Sequence, residues 1–369
     1  MEKYLAQRTQ LIDASGIRRI WNIAATIKDP VDFSIGQPDF DVPEALKDEA
    51  IEAIRAGHNR YSLTAGDEQL RTAIRAKVTA EFGWTEPATM VASGVSGAML
   101  LLFMSMIDPG DEVIVPDPYF VMYKHVVRML GGKCVFVDSY PDFRPPVDKI
   151  AAAITDRTKL IIVNSPCNPT GAVYSADELK GLATVAARKN VLVMSDEIYD
   201  QFCYDGPYHS MASYYENTVL MRGFSKSYGM PGWRLAYVAV QKHLKPLVDE
   251  MTKIQQYTFV CAPTPFQMAA IKAMDYDMTD TIKAYKRKRD LVYEGLKDKF
   301  DVVKPAGSFY TFVKAPGKSG AEFVEKAVRN KVLVIPGNVF SEKDSHFRIS
   351  YTTTDDKIAK GVEILRSLA

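Results

Sequence analysis

The sequence is short of cysteine, clustered histidine, long apolar runs and net charge, and each shortage removes a class of function. Four cysteines, Cys134, Cys167, Cys203 and Cys261, are scattered over 369 residues without a Cys-x-x-Cys pair. That spacing argues against a disulfide scaffold, a zinc knuckle or a thioredoxin-like redox centre, and the thiols read as reduced. The five histidines (His58, His125, His209, His243, His346) show no His-x-x-x-His spacing, so no metal site is expected. The longest apolar stretch, over 99–107, is too short to span a bilayer, and Met1-Glu-Lys-Tyr4 opens without an apolar segment. With 46 basic against 45 acidic residues, no global field favours nucleic acid or an anionic membrane. A cytoplasmic address is the expectation.

What is present is an ordinary globular balance, 47% apolar and 25% charged, in a chain long enough for about two domains. No internal repeat is found. Short β-rich runs at 113–115, 134–137, 160–163, 191–194, 219–221 and 235–240 alternate with amphipathic segments such as 176–189. Runs apolar on both faces between helices read as buried strands of a largely parallel sheet, an α/β architecture. Ser175-Ala-Asp-Glu178 has the form of a capping box at the start of one helix. After about residue 276 a charged helix over 283–299 leads into strands at 309–313, 332–335 and 347–351 and a helix at 322–330, the texture of a smaller α+β unit. The first forty residues, with Gly36-Gln-Pro-Asp-Phe-Asp-Val-Pro43 at their end, read as an arm and a loop outside the main sheet.

Three segments each sit at the C-terminal end of an expected strand: Asn168-Pro-Thr-Gly171, Ser195-Asp-Glu-Ile-Tyr199 and Gly223-Phe-Ser-Lys-Ser-Tyr-Gly-Met-Pro-Gly-Trp-Arg234. Open α/β sheets assemble ligand sites along that edge, so the three can converge. Taken singly, Lys226 is a surface charge, Asp196 a helix cap, Gly94 and Gly36 turn glycines, Phe120 a core residue and Arg348 an exposed strand residue. Together they ask for more. Asp196 ends an apolar strand, where a carboxylate is costly unless a cation meets it, and Arg234 follows Lys226 in a Gly-Trp-Arg context suited to phosphate.

In this combination the chain resembles a fold-type I pyridoxal-phosphate-dependent aminotransferase of the class I/II, aspartate aminotransferase-like family, over nearly its whole length. The resemblance implies a large domain over 41–280 with a mostly parallel seven-stranded sheet flanked by helices. A smaller α+β domain over 281–369 would be completed by the N-terminal arm, 1–40. It implies pyridoxal 5'-phosphate as cofactor and an amino acid and a 2-oxo acid as substrates. Lys226 would bond the cofactor aldehyde and then serve as base and acid for the proton shift. Asp196 would hold the ring-nitrogen proton, and Tyr199 and Asn168 would hydrogen-bond the phenolic oxygen. Arg234 and the backbone of Gly94, Val95 and Ser96, ahead of a helix over 98–106, would hold the phosphate. Ser225 would stand in for the Ser or Thr that relatives often carry at the position of Gly223.

Phe120 would stack on the ring, with Tyr119 as the competing candidate. Tyr61 would reach the phosphate of a neighbouring subunit, making the active unit a two-fold homodimer. Arg348 would clamp the substrate α-carboxylate beside Asn168, and Gly36 would leave room for substrate at the pocket mouth. Arg18 and Lys124 are candidate cations for a second substrate carboxylate. Tyr61, Tyr228, Tyr257 and Phe259 are candidates for an apolar side-chain wall instead. The leading reading is amino-group transfer through Lys226. A lyase, decarboxylase or racemase on the same site is the alternative, and a cofactor-sensing regulator would need a basic helix-turn-helix segment that is not read here.

Overall fold

The computed structural model describes residues 4–13, 16 and 27–369, so Arg18 lies outside the described residues. A short strand β1 (Val31–Asp32) precedes the seven strands of the main sheet. These are β2 (Ala88–Ala92), β3 (Glu112–Asp117), β4 (Lys133–Asp138), β5 (Thr158–Asn164), β6 (Leu192–Asp196), β7 (Thr218–Gly223) and β8 (Ala236–Val240). Their spatial order is β2-β8-β7-β6-β5-β3-β4. β8 runs antiparallel to both neighbours, and the pairs from β7 to β4 are parallel. Each of the six expected runs falls on a strand of this sheet, because apolar residues on both faces stay dry beneath helices on either side.

β2 carries too little alternation to stand out as a strand in the sequence. It is held by its antiparallel ladder to β8. The helix Ala176–Lys189 starts as expected, with the Ser175 side chain accepting from the Glu178 amide and the Glu178 carboxylate accepting from the Ser175 amide.

The remaining strands lie apart from the main sheet: β9 (Tyr310–Lys314), β10 (Val332–Leu333), β11 (Ile335–Pro336) and β12 (His346–Ser350). β11, β12 and β9 form an antiparallel sheet, and β10 pairs in parallel with β1. The run 332–335 is therefore two strands serving two sheets rather than one. The 18-residue helix Thr279–Leu296 leads into this region, and among the described residues no helix is long and apolar enough to cross a membrane.

Strand alternation at the end of β6 sorts three consecutive polar residues onto opposite sides. Ser195 and Glu197 share a buried network in which Glu197 Oε1 accepts from Ser195 Oγ at 2.8 Å and Ser210 Oγ at 2.6 Å. Arg222 on β7 donates to Glu197 Oε2 through Nε at 3.0 Å and grips Glu81 through both terminal nitrogens at 2.6 and 2.7 Å. Glu197 thus has its own cation, and Asp196 is left to face the other way. Replacing Arg222 by Met strands a buried carboxylate and is expected to cost about 3–5 kcal/mol in urea unfolding. A loss under about 1 kcal/mol would show that the network contributes little.

Candidate active site

In-register pairing sets Asn164 of β5 beside Asp196 of β6, and Asp196 beside Met221 of β7. The loops leaving these strand ends therefore meet, and they enclose a cavity of about 330 Å³. Ser225, Lys226, Asn168, Asp196, Tyr199 and Arg234 all line it, together with Arg348 from β12 and Gly36 from the loop after β1.

Asp196 is 2% exposed. Its Oδ2 accepts from Tyr123 Oη at 2.6 Å and its Oδ1 from the Ile198 amide at 3.3 Å. Neither partner is a cation, and burial pushes its pKa up to about 6. Lys226 extends into the same space and donates to the Gly36 carbonyl at 2.6 Å. Burial, with Arg348 and Arg234 nearby, brings its pKa down to about 8. A lysine so placed gives up its proton readily, as a nucleophilic amine must.

Two glycines are required by close approach. A Cβ at Gly36 would stand 2.5 Å from Tyr310 Oη. One at Gly94 would stand 2.4 Å from Arg234 Nη2, and Gly94 also holds a φ of +74°. Turn geometry alone does not account for either. The helix expected over 98–106 in fact begins at Gly94, so Val95 and Ser96 lie in its first turn, where amide groups lack helical partners. The glycines and serine of that turn have weak helix propensity, which hid the boundary. Arg234 bonds two backbone carbonyls, Pro231 at 3.0 Å and Ser93 at 3.4 Å, leaving most of its fork free beside those amides.

Gly223 is closely packed, and a Cβ there would be 2.8 Å from Ile198 Cδ1 and 3.1 Å from Val95 Cγ2, so a side chain would require these two to shift. Ser225 stands at the cavity wall instead. Arg348 is 1% exposed, donating to Asn168 Oδ1 at 3.0 Å and the Ser34 carbonyl at 2.8 Å. Its Nε has no partner, and among the described residues the groups that act on its charge are the phenols of Tyr310 and Tyr199 rather than a carboxylate. Phe120 lines the cavity, whereas Tyr119 stacks on Phe136 at 4.8 Å and donates to Glu342 at 2.6 Å.

Several candidates do not converge here. Tyr61 and Tyr257 are 81% and 83% exposed, and neither lines the cavity. Tyr228 is buried elsewhere, accepting from Gln201 at 2.8 Å, and Phe259 lies 3.8 Å from the position a Cβ would take on Gly97. An apolar wall made by these four is thus not present within one chain. Lys124 is paired with Glu342 outside the cavity. Conversely Asn164, Tyr123 and Tyr310 belong to the site without any motif to announce them. Asn164, as the polar last residue of an apolar strand, was the one with a readable signal. The loop bearing Gly36 is tied down by Asp39, which accepts from Tyr285 Oη at 2.5 Å and from the Lys288 ammonium.

The model of the family described as aminotransferase class I and II matches residues 28–365. The chain belongs to that family. A probable aspartate aminotransferase of Methanocaldococcus jannaschii is 38% identical, covering 99% of each chain. Aromatic-amino-acid aminotransferase 2 of Thermococcus litoralis is 35% identical over 97% of this chain and 96% of its own. The aspartate aminotransferase of Thermus thermophilus solved with maleate superposes with a TM-score of 0.93 at 33% identity, covering 99% of both chains.

The protein is therefore an aminotransferase, and pyridoxal phosphate is its expected cofactor. The residues present fit that group. A buried carboxylate forms no ion pair among the described residues, a lysine is poised to lose its proton, and a free arginine fork adjoins the first turn of a helix. In the cofactor-free aminotransferase, reductive methylation of Lys226 should rise with pH to a midpoint near 8. A midpoint above about 10, where exposed lysines titrate, would contradict the depressed pKa.

Proposed function

We propose that this aminotransferase carries amino groups between an amino acid and a 2-oxo acid through Lys226, with Asp196 as the fixed counter-ion. When bound, pyridoxal phosphate supplies an aldehyde that bonds amines and a protonated ring that takes up the electron pair released at the substrate α-carbon. Asp196 keeps the proton on the ring nitrogen, and Tyr123 and the Ile198 amide keep Asp196 in place. Lys226 would move the proton at the substrate α-carbon, a task suited to a pKa of about 8. Arg348 binds the α-carboxylate with the N–H groups that Asn168 and Ser34 leave unused. Asn168 and Tyr199 serve the phenolic oxygen, Phe120 covers one ring face, and Arg234, Ser225 and the turn from Gly94 to Ser96 hold the phosphate. The observation that carries this reading is Asp196, a buried carboxylate that faces the cavity and, among the described residues, forms no ion pair, with the Lys226 charge nearby.

We further propose a two-fold homodimer in which Tyr61 completes the neighbouring site. In support, Tyr61, Leu63 and Tyr257 are all highly exposed. Their segments are tied together, with Gln255 Nε2 donating to the Thr64 carbonyl at 2.5 Å and Thr264 Oγ1 to the Arg60 carbonyl at 2.8 Å. The division into 1–40 with 281–369 against 41–280 is supported by the pairing of β1 with β10 outside the main sheet. Four cysteines with no disulfide among them favour the cytoplasm as the compartment.

An amino acid alone should convert the aldehyde-form spectrum of the holoenzyme to the amine form, and a 2-oxo acid should restore it. Silence across a broad donor panel, or turnover with no oxo-acid acceptor, would count against transfer and for elimination chemistry. Arg348→Gln should lower kcat/KM by roughly 10²-fold, mostly through KM, as losing a charge-assisted carboxylate contact requires. An unchanged KM would remove Arg348 from the carboxylate.

A further inference from the structure

Tyr310, on β9, is a buried cavity residue to which the account above gives no task. Its hydroxyl lies 3.1 Å from that of Tyr199, and the two rings meet edge-on at 5.7 Å and 88°. Burial raises the pKa of both phenols, so each brings one proton at neutral pH. Two protons and one shared bond leave one proton free. Which tyrosine keeps it depends on the direction of the bond.

Three contacts bear on that direction. Tyr310 Oη is pressed against the bare α-carbon of Gly36, whose carbonyl is already engaged by Lys226 at 2.6 Å. The Arg348 guanidinium lies over the Tyr310 ring at 4.5 Å and offers donors, not acceptors. Among the described residues, Tyr199 Oη is the one hydrogen-bond partner of Tyr310 Oη. We propose that Tyr310 is a positioning residue for amino-group transfer: its hydroxyl donates to Tyr199, so that the proton of Tyr199 is held for a ligand in the cavity. The proposal rests on the reading that Tyr199 donates to the cofactor's phenolic oxygen. An oxygen that accepts one hydrogen bond is a stronger donor in the next, so Tyr310 lowers the proton affinity of the bound cofactor without touching its reacting atoms.

Tyr310→Phe removes the hydroxyl and keeps the ring beneath Arg348. In the holoenzyme, the pH midpoint at which the bound cofactor changes absorbance is expected to rise by about half a unit in this variant. Tyr199→Phe should raise it by about one unit or more. The double variant should match Tyr199→Phe, because the relay has no route except through that residue. KM for the amino donor should stay within about two-fold, since Arg348 keeps its ring and its bonds. An unmoved midpoint in Tyr310→Phe, or shifts that add in the double variant, overturns the relay and leaves the role of Tyr199 standing. An unmoved midpoint in all three, with no borohydride-trapped adduct at Lys226, overturns the reading of the site and the relay with it.

Discussion

A carboxylate buried without an ion pair among the described residues is the constraint around which this site is arranged. Taking the charge of Asp196 out of water costs several kcal/mol, and one hydroxyl and one amide recover part of that. The adjoining Glu197 shows the other solution, a buried carboxylate fully served by Arg222 and two serine hydroxyls. One residue apart on the same strand end, one acid is satisfied within the chain and the other faces the cavity with one hydroxyl and one amide for partners.

Everything else in the cavity follows from where parallel strands end. β5, β6 and β7 stop side by side, and their loops bring an amide, a carboxylate and an amine within one space. The third cation comes from a different sheet. Arg348 reaches the cavity because β12 pairs with β9 and β11 in a register that sets it opposite Phe312 and Ile335. The asparagine loop is pressed against β9 at Gly171, where a Cβ would stand 2.6 Å from the Tyr310 carbonyl. Asn168, Arg348 and Tyr310 are thereby locked together on one side of the cavity.

The central strands, and the lysine that lines the cavity, were legible because their signals are local. Apolar runs of three to six residues, a capping box and a lysine between two serines need no tertiary context. Contacts across large sequence separations were not legible. Tyr123 meets Asp196 from 73 positions away, and Tyr310 meets Tyr199 from 111. Gly223 read as a lost phosphate donor, yet the space for a side chain there is filled by Ile198 and Val95. The run 332–335 read as one strand because nothing in Val-Leu-Val-Ile marks the point at which the chain leaves β1 for β12. Tyr61 and Tyr257 read as pocket aromatics, yet both are exposed and neither lines the cavity.

The proposed site depends on a positive charge opposite Asp196, and the ring nitrogen of bound cofactor reports it directly. With pyridoxal phosphate labelled at that nitrogen, the ¹⁵N resonance of the wild-type holoenzyme at neutral pH should lie in the pyridinium range and move to the neutral-pyridine range in Asp196→Asn. A neutral-pyridine resonance in the wild type would contradict the pairing on which the site is built.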